Sequence, residues 1–181
     1  MRMFLQAMER LPEPDRSRLK ANMAPVYARV MDAPVLGWMP GEVNYDACDV
    51  LTETLGKDGA RDYFRQLYRR VWAEAPFMSG FVQGVARMHR DPGALFKYLR
   101  PGYPQIFRHF GVWTILDRQQ NRVLAELKEI PARTFEHDAL WLDYVAASLE
   151  TMFDLMNAEA DAKVISKDRD AGTAVFEFVW R

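Results

Sequence analysis

The segment 131–181 constrains the fold more than any other part of this sequence. Its first half places an apolar residue at every third or fourth position, which predicts an amphipathic helix over residues 135–158. Its second half alternates apolar and polar residues along 161–167 and 173–180, which predicts two strands joined by a turn at 168–172. The helix and the strand pair each have one apolar face, and these faces are buried when they pack together. The segment therefore predicts a helix laid across an antiparallel sheet.

A second pair of strands precedes this segment. Residues 112–117 and 122–129 are rich in β-branched and apolar side chains and are joined by a polar stretch, which predicts another hairpin. Before residue 111 the apolar residues recur at helical spacing, and prolines and glycines divide them into several helices. The predicted fold class is therefore α+β, with N-terminal helices followed by a small four-stranded antiparallel sheet crossed by a long C-terminal helix.

The length of 181 residues predicts a single domain over 1–181. Residues 1–34 are apolar, and a proline-rich connector separates them from the rest, so they are a possible N-terminal helical arm that packs on another subunit. Residues 35–181 would then form an α+β core of the ligand-binding type. This arrangement predicts a homodimer.

Charge and cysteine content exclude several classes of protein. The net charge of −1 argues against nucleic-acid binding, which usually requires a basic excess. The one cysteine, Cys48, cannot form a disulfide within the chain, and this predicts a cytoplasmic location. We identify no signal peptide, and because no apolar run reaches the length of a membrane helix, we expect no transmembrane segment.

No catalytic motif is present. The sequence lacks the G-x-S-x-G turn and the glycine-rich phosphate loops. Cys48 lies beside Asp46 and Asp49, whose charges raise a thiol pKa and make it a poor nucleophile. The histidines are not at metal-ligand spacing, so we expect neither a metal site nor an enzyme.

The chain is rich in soft and aromatic residues, with 10 Met, 11 Phe and 5 Trp. Core packing explains such a composition, and a ligand cavity or a partner groove explains it as well. The predicted pocket is lined by residues near the sheet, with His109 as a possible polar contact: Trp113, Trp141, Phe107, His109, Phe176 and Phe178. His109 is also explained as a histidine at a helix C-terminus, where the helix dipole favours it.

The order of elements in residues 140–181 resembles a known fold. A helix containing Val145-Ala146-Ala147-Ser148-Leu149 runs into Ala162-Lys163-Val164-Ile165 and then into the strand 173–180. This pattern resembles the fold shared by haem-nitric-oxide-binding domains, four-vinyl-reductase-type ligand domains and TRAPP vesicle-tethering subunits. Gly37-Trp38-Met39-Pro40 also resembles an uncharacterised bacterial family of similar length. The resemblance implies an apolar pocket between the sheet and the helices, and dimerisation.

The sequence departs from this superfamily where haem chemistry is concerned. Haem-nitric-oxide-binding domains carry a Tyr-x-Ser-x-Arg motif for the haem propionates, and none of the 7 tyrosines here begins one. The cysteine cluster of some four-vinyl-reductase-type domains is absent too. The resemblance thus predicts the shape of a ligand-binding domain without haem, and we expect no cofactor.

These observations predict a non-catalytic sensor or adaptor domain that binds a small apolar ligand, in bacterial signalling. The main alternative is a dimeric interaction or scaffold protein without a ligand. A haem-binding gas sensor would need a haem ligand outside the family motif. An enzyme would need an acid/base constellation that the sequence does not display.

Overall fold

The computed structural model describes residues 2–32, 41–74, 80, 84–85, 87–88, 91–105 and 109–181. Helices come first, and a four-stranded antiparallel sheet with a helix between its two hairpins follows, so the predicted α+β fold class is confirmed. The chain divides into two compact units, Met1–Leu67 and Tyr68–Arg181. The single domain and the arm at 1–34 stay predictions, and the helix predicted over 77–90 lies mostly outside the described residues.

The first unit is helical. Helix α1 spans Arg2–Met8, helix α2 spans Asp15–Asp32, and helix α3 starts at Gly41 and runs to Glu74, its last turns belonging to the second unit. Helix α3 has a break at Gly56, where φ is 73° and ψ is 170°. The Tyr63 hydroxyl of α3 donates a hydrogen bond to the carbonyl of Phe4, and burial raises the pKa of that tyrosine.

In the second unit a short helix precedes the sheet. Asp91 caps its start: the backbone N–H of Gly93 donates to the Asp91 carboxylate at 2.8 Å, and Pro92 occupies the first helical position. Helix α4 then spans Leu95–Gly102, and a 3₁₀ turn at Tyr103–Gln105 follows it. This segment packs against the sheet through Leu95, Phe96 and Leu99, which are buried.

The sheet contains β1 (Val112–Arg118), β2 (Arg122–Lys128), β3 (Ala160–Asp168) and β4 (Thr173–Trp180). Its strand order is β1-β2-β4-β3, and each neighbouring pair is antiparallel. Both predicted hairpins are therefore present. The two edge strands each carry a bulge, between Ile115 and Asp117 in β1 and between Val164 and Ser166 in β3. Bulges at edges deter pairing with another chain.

The long helix predicted over 135–158 is shorter than expected. Helix α5 spans Leu140–Glu150 and has 3₁₀ turns on either side. Its start is fixed by three successive left-handed residues, with φ of 49°, 62° and 55° at His137, Asp138 and Ala139. A right-handed helix cannot run through them. Lys167 of β3 stabilises this turn, because its Nζ donates to the Asp138 carbonyl at 3.0 Å.

Candidate functional site

The aromatic side chains of the second unit form one continuous series of ring contacts, which we call the aromatic row. Successive ring centroids lie 4.1 to 6.4 Å apart. In order, its members are Trp141, Phe110, Tyr103, Trp113, Phe176, Phe178, Phe96, Phe153 and Trp180. The row therefore links the sheet, α4 and the start of α5 within this unit.

Strand pairing explains why rings from two separated strands meet in the row. Trp113 of β1 and Phe176 of β4 point to the same face of the sheet, with β2 between them. At this level β2 contributes Ala125, which is opposite Phe176 and has a small side chain. Trp113 itself is opposite Leu127 of β2, and the centroids of the two rings lie 4.8 Å apart.

The entry into β1 depends on Gly111. Its φ is 89°, a conformation that side-chain-bearing residues rarely adopt. A Cβ atom there would lie 2.6 Å from the Lys128 carbonyl oxygen and 2.8 Å from Leu127 Cδ1. Glycine thus lets the chain pass close to β2 and fixes Phe110 and Trp113, on either side of it, relative to each other.

The structure brings together most of the residues predicted to line the pocket. Trp113, Phe176 and Phe178 are almost completely buried in the aromatic row, and Trp141 is a half-buried member at its end. His109 is exposed and has a φ of 56°. Phe107 lies outside the described residues. The buried rings pack on one another, and Trp141 marks the end of the row that solvent reaches.

The indole nitrogen of Trp113 is a buried donor without an acceptor among the described residues. The side chain is only 2% exposed. Trp72, at 4% exposure, shows the ordinary arrangement, because its Nε1 donates to the Ser148 carbonyl at 3.0 Å and to Thr151 Oγ1 at 3.1 Å. A buried donor left unpaired costs about 1 to 3 kcal/mol, so native proteins seldom contain one. Trp113 is therefore a buried donor for which the described residues supply no acceptor.

Five members of the row are absent from the predicted pocket lining: Tyr103, Phe110, Phe96, Phe153 and Trp180. Two of them, Tyr103 and Phe110, lie between helix α4 and strand β1, with Tyr103 between Pro101 and Pro104 and Phe110 just before Gly111. The Tyr103 ring meets Trp113 edge-on at 5.8 Å, and the Phe110 ring lies 4.1 Å from Trp141. An aromatic residue held between prolines is a usable signal, since proline restricts where such a ring can point.

The ion pairs of Glu177 lie on the face of the sheet opposite the row. Glu177 alternates with Phe176 and Phe178 along β4 and accepts hydrogen bonds from Arg122 at 2.8 Å and Lys163 at 3.0 Å. These contacts hold the pKa of Glu177 below its ordinary value, Arg122 having the larger effect. The row itself is made of neutral rings.

No group of three or more possible metal ligands occurs among the described residues. Cys48 in the first unit is buried, and burial together with the charge of Asp49 raises the pKa of its thiol. This agrees with the prediction that it is a poor nucleophile. Within the described ranges, no helix is long and apolar enough to cross a membrane.

Comparison with known proteins gives a likeness in fold alone. No family model and no curated protein matches the chain. Among solved structures, it is similar to an unliganded Fe(II) H-NOX protein from K. algicida, at 9% identity and a TM-score of 0.61, covering 99% of this chain and 95% of that one. A mutant of T. tengcongensis H-NOX has a TM-score of 0.61 at 10% identity, with 98% and 93% of the two chains covered. An oxygen-binding H-NOX domain related to soluble guanylate cyclases has a TM-score of 0.60 at 10% identity, covering 99% and 92%.

These structures raise the question of haem, which is named for two further H-NOX structures of similar fold. Haem iron needs an axial ligand such as histidine inside an apolar pocket. In the described part of the chain, His109 and His137 are both exposed, and each has a left-handed backbone. The described residues therefore do not fit haem, in agreement with the missing Tyr-x-Ser-x-Arg motif.

Proposed function

We propose that this chain is a non-catalytic sensor or adaptor domain that binds a small apolar molecule at the solvent-reached end of the aromatic row. The binding residues are Trp113, Tyr103, Phe110 and Trp141, with His109 beside the entrance. The observation that carries this proposal is the buried Trp113 donor without an acceptor among the described residues. The likeness in fold to H-NOX domains, one of them oxygen-binding, supports it.

The chemistry of these residues suits an apolar ligand. Aromatic rings supply large contact areas at little cost in side-chain entropy, and they accept flat molecules by stacking or by edge contacts. The half-buried Trp141 ring, in contact with Phe110, provides a wall that solvent already reaches. Phe176 and Phe178 lie further inside and would support the site from behind rather than touch the ligand first.

A test is to purify the full chain under mild conditions, record its absorption spectrum and analyse an organic extract by mass spectrometry. We expect a small apolar compound in the extract and no Soret band. The extracted protein should regain thermal stability when the compound is returned, because a ligand that binds only the folded state stabilises it. An empty extract, together with no stabilisation by neutral aromatic or lipid-like compounds, would refute the proposal. A Soret band would replace it with haem binding.

We further propose that the domain acts as a homodimer in bacterial signalling, as the resemblance to dimerising domains implies. The supporting observation is on α2, where Tyr27 and Met31, one helical turn apart, are 43% and 52% exposed. Light scattering of the full chain and of a Tyr27→Lys, Met31→Lys variant measures the mass of each. A monomeric wild type would refute the dimer, and a variant that stays dimeric would place the contact elsewhere.

The same α2 residues favour the second candidate function, a dimeric scaffold without a ligand. That function predicts an empty extract and a dimer disrupted by the double variant. The two candidates are therefore separated by the extract alone.

A further inference from the structure

We propose that the ligand of this site is a neutral molecule with a carbonyl-type oxygen, and that the indole N–H of Trp113 donates a hydrogen bond to it. This inference rests on the proposed function and adds the chemical class of the ligand. Its basis is the contrast between two buried tryptophans of one unit, of which Trp72 has two acceptors and Trp113 has none among the described residues.

The surroundings of Trp113 favour a ligand oxygen over a water molecule as the missing acceptor. A buried water typically makes about three hydrogen bonds to polar groups of the protein. Trp113 adjoins the rings of Tyr103 and Phe176, whose centroids lie 5.8 and 4.8 Å away, and of these two residues only Tyr103 carries a polar side-chain atom, its hydroxyl. An oxygen attached to an apolar molecule needs only the one donor, and the rest of that molecule gains contact with the rings.

The charge distribution favours a neutral ligand. A buried anion requires a cation or several donors, because its desolvation is otherwise uncompensated. Lys128, which follows the residue paired with Trp113, is engaged with Glu126. Arg122 and Lys163 are engaged with Glu177 on the opposite face. An indole N–H is a single neutral donor, and it suits a ketone, amide or ester oxygen better than a carboxylate.

The inference is tested with three flat probes of one shape: fluorene, fluorenone and fluorene carboxylate. Their affinities are measured by isothermal calorimetry with the wild-type chain and with Trp113→Phe and Trp72→Phe variants. Fluorenone should bind on the order of tenfold more tightly than fluorene, the ratio expected for one buried hydrogen bond. Trp113→Phe should abolish that preference, and Trp72→Phe, which removes an equal part of a ring elsewhere, should leave it intact.

Three other outcomes of the calorimetry would contradict the inference. Equal binding of fluorenone and fluorene by the wild type would overturn the role of Trp113 and leave the proposed function in place. Tightest binding of the carboxylate would overturn the neutral class. Binding of none of the probes, with an empty extract, would overturn the proposed function and this inference together.

A measurement on the wild type covers the case in which a variant does not fold. The indole N–H resonance of Trp113 can be assigned through its proximity to the Tyr103 and Phe176 rings. Adding fluorenone should move it to the position of a hydrogen-bonded indole and slow its exchange with solvent, whereas fluorene should do neither. An indole N–H that is hydrogen-bonded before any probe is added would overturn the inference.

Discussion

Trp72→Phe and Trp113→Phe should both reduce stability through the loss of ring area, but the loss of the indole N–H should affect stability in opposite directions in the two variants. Trp72→Phe and Trp113→Phe each remove the same atoms from a nearly inaccessible site. That truncation alone should cost on the order of 1 to 2 kcal/mol of unfolding free energy. The hydrogen bonding then separates the two variants.

The separation can be worked out from the contacts. Trp72→Phe removes a donor that two oxygens share, those of Ser148 and Thr151, which should cost about 1 to 3 kcal/mol more. Trp113→Phe removes a donor that has no acceptor among the described residues, which should return a similar amount. We therefore expect Trp72→Phe to destabilise the ligand-stripped protein by at least about 2 kcal/mol more than Trp113→Phe.

Urea denaturation of the stripped proteins measures this difference, provided that the dependence on urea concentration is the same for both. Equal destabilisation by the two substitutions would mean that the protein itself satisfies the Trp113 N–H. The inference of a missing acceptor would then be wrong.

Three further predictions concern the frame of the site. Gly111→Ala should destabilise the fold by about 2 kcal/mol or more, because position 111 has a left-handed backbone and lies close to β2. Gly84→Ala is the control and should not do so, because its added Cβ meets nothing within 4 Å. Thermal denaturation compares the two variants. Glu129 is exposed and has a left-handed backbone with φ of 58°. Glu129→Gly should therefore raise the unfolding free energy by roughly 0.5 to 1 kcal/mol, and Glu129→Asn should raise it by less. A lower unfolding free energy in the glycine variant would show that the backbone at Glu129 is not strained. The pKa of Glu177 is lowered in the folded state, so its contribution to stability is present above its unfolded-state pKa and is lost as the pH falls through its folded-state pKa. Urea denaturation at a series of pH values should therefore show that Glu177→Gln loses less stability in acid than the wild type does.

The parts of the fold that could be predicted from the sequence are those fixed by local pattern. Alternation along β4 placed Phe176 and Phe178 on one face, and the cap at Asp91 was visible from its proline neighbour. The start of α5 could not be predicted in the same way. It depends on left-handed residues at 137–139, which are held in part by Lys167 from a distant strand.

The candidate site also contains residues that could be predicted from local pattern and residues that could not. Trp113 was identifiable because it lies in a run rich in β-branched and apolar residues and its ring must be buried somewhere. Tyr103 and Phe110 come from connections whose course is set by Gly111 and by the sheet they meet, so no periodicity predicted their position. The missing acceptor of Trp113 is visible only once the surroundings of the ring are known.

The likeness to H-NOX domains is a likeness in fold, and it does not determine which ligand chemistry the residues of this chain support. At 9 to 11% identity the backbone arrangement is shared, but the described histidines are exposed and the propionate motif is absent. A fold can host different ligands when the side chains of its site change. We propose that in this chain the row of neutral rings and the Trp113 donor bind a small neutral molecule in place of haem.

Native mass spectrometry of the gently purified full chain tests the central claim most directly. The mass should exceed that of the polypeptide by one small organic molecule per chain, and organic extraction should remove this excess. The Trp113→Phe variant should carry less of it than the Trp72→Phe variant. A bare polypeptide mass for the wild type, unchanged when fluorenone is added, would contradict the account.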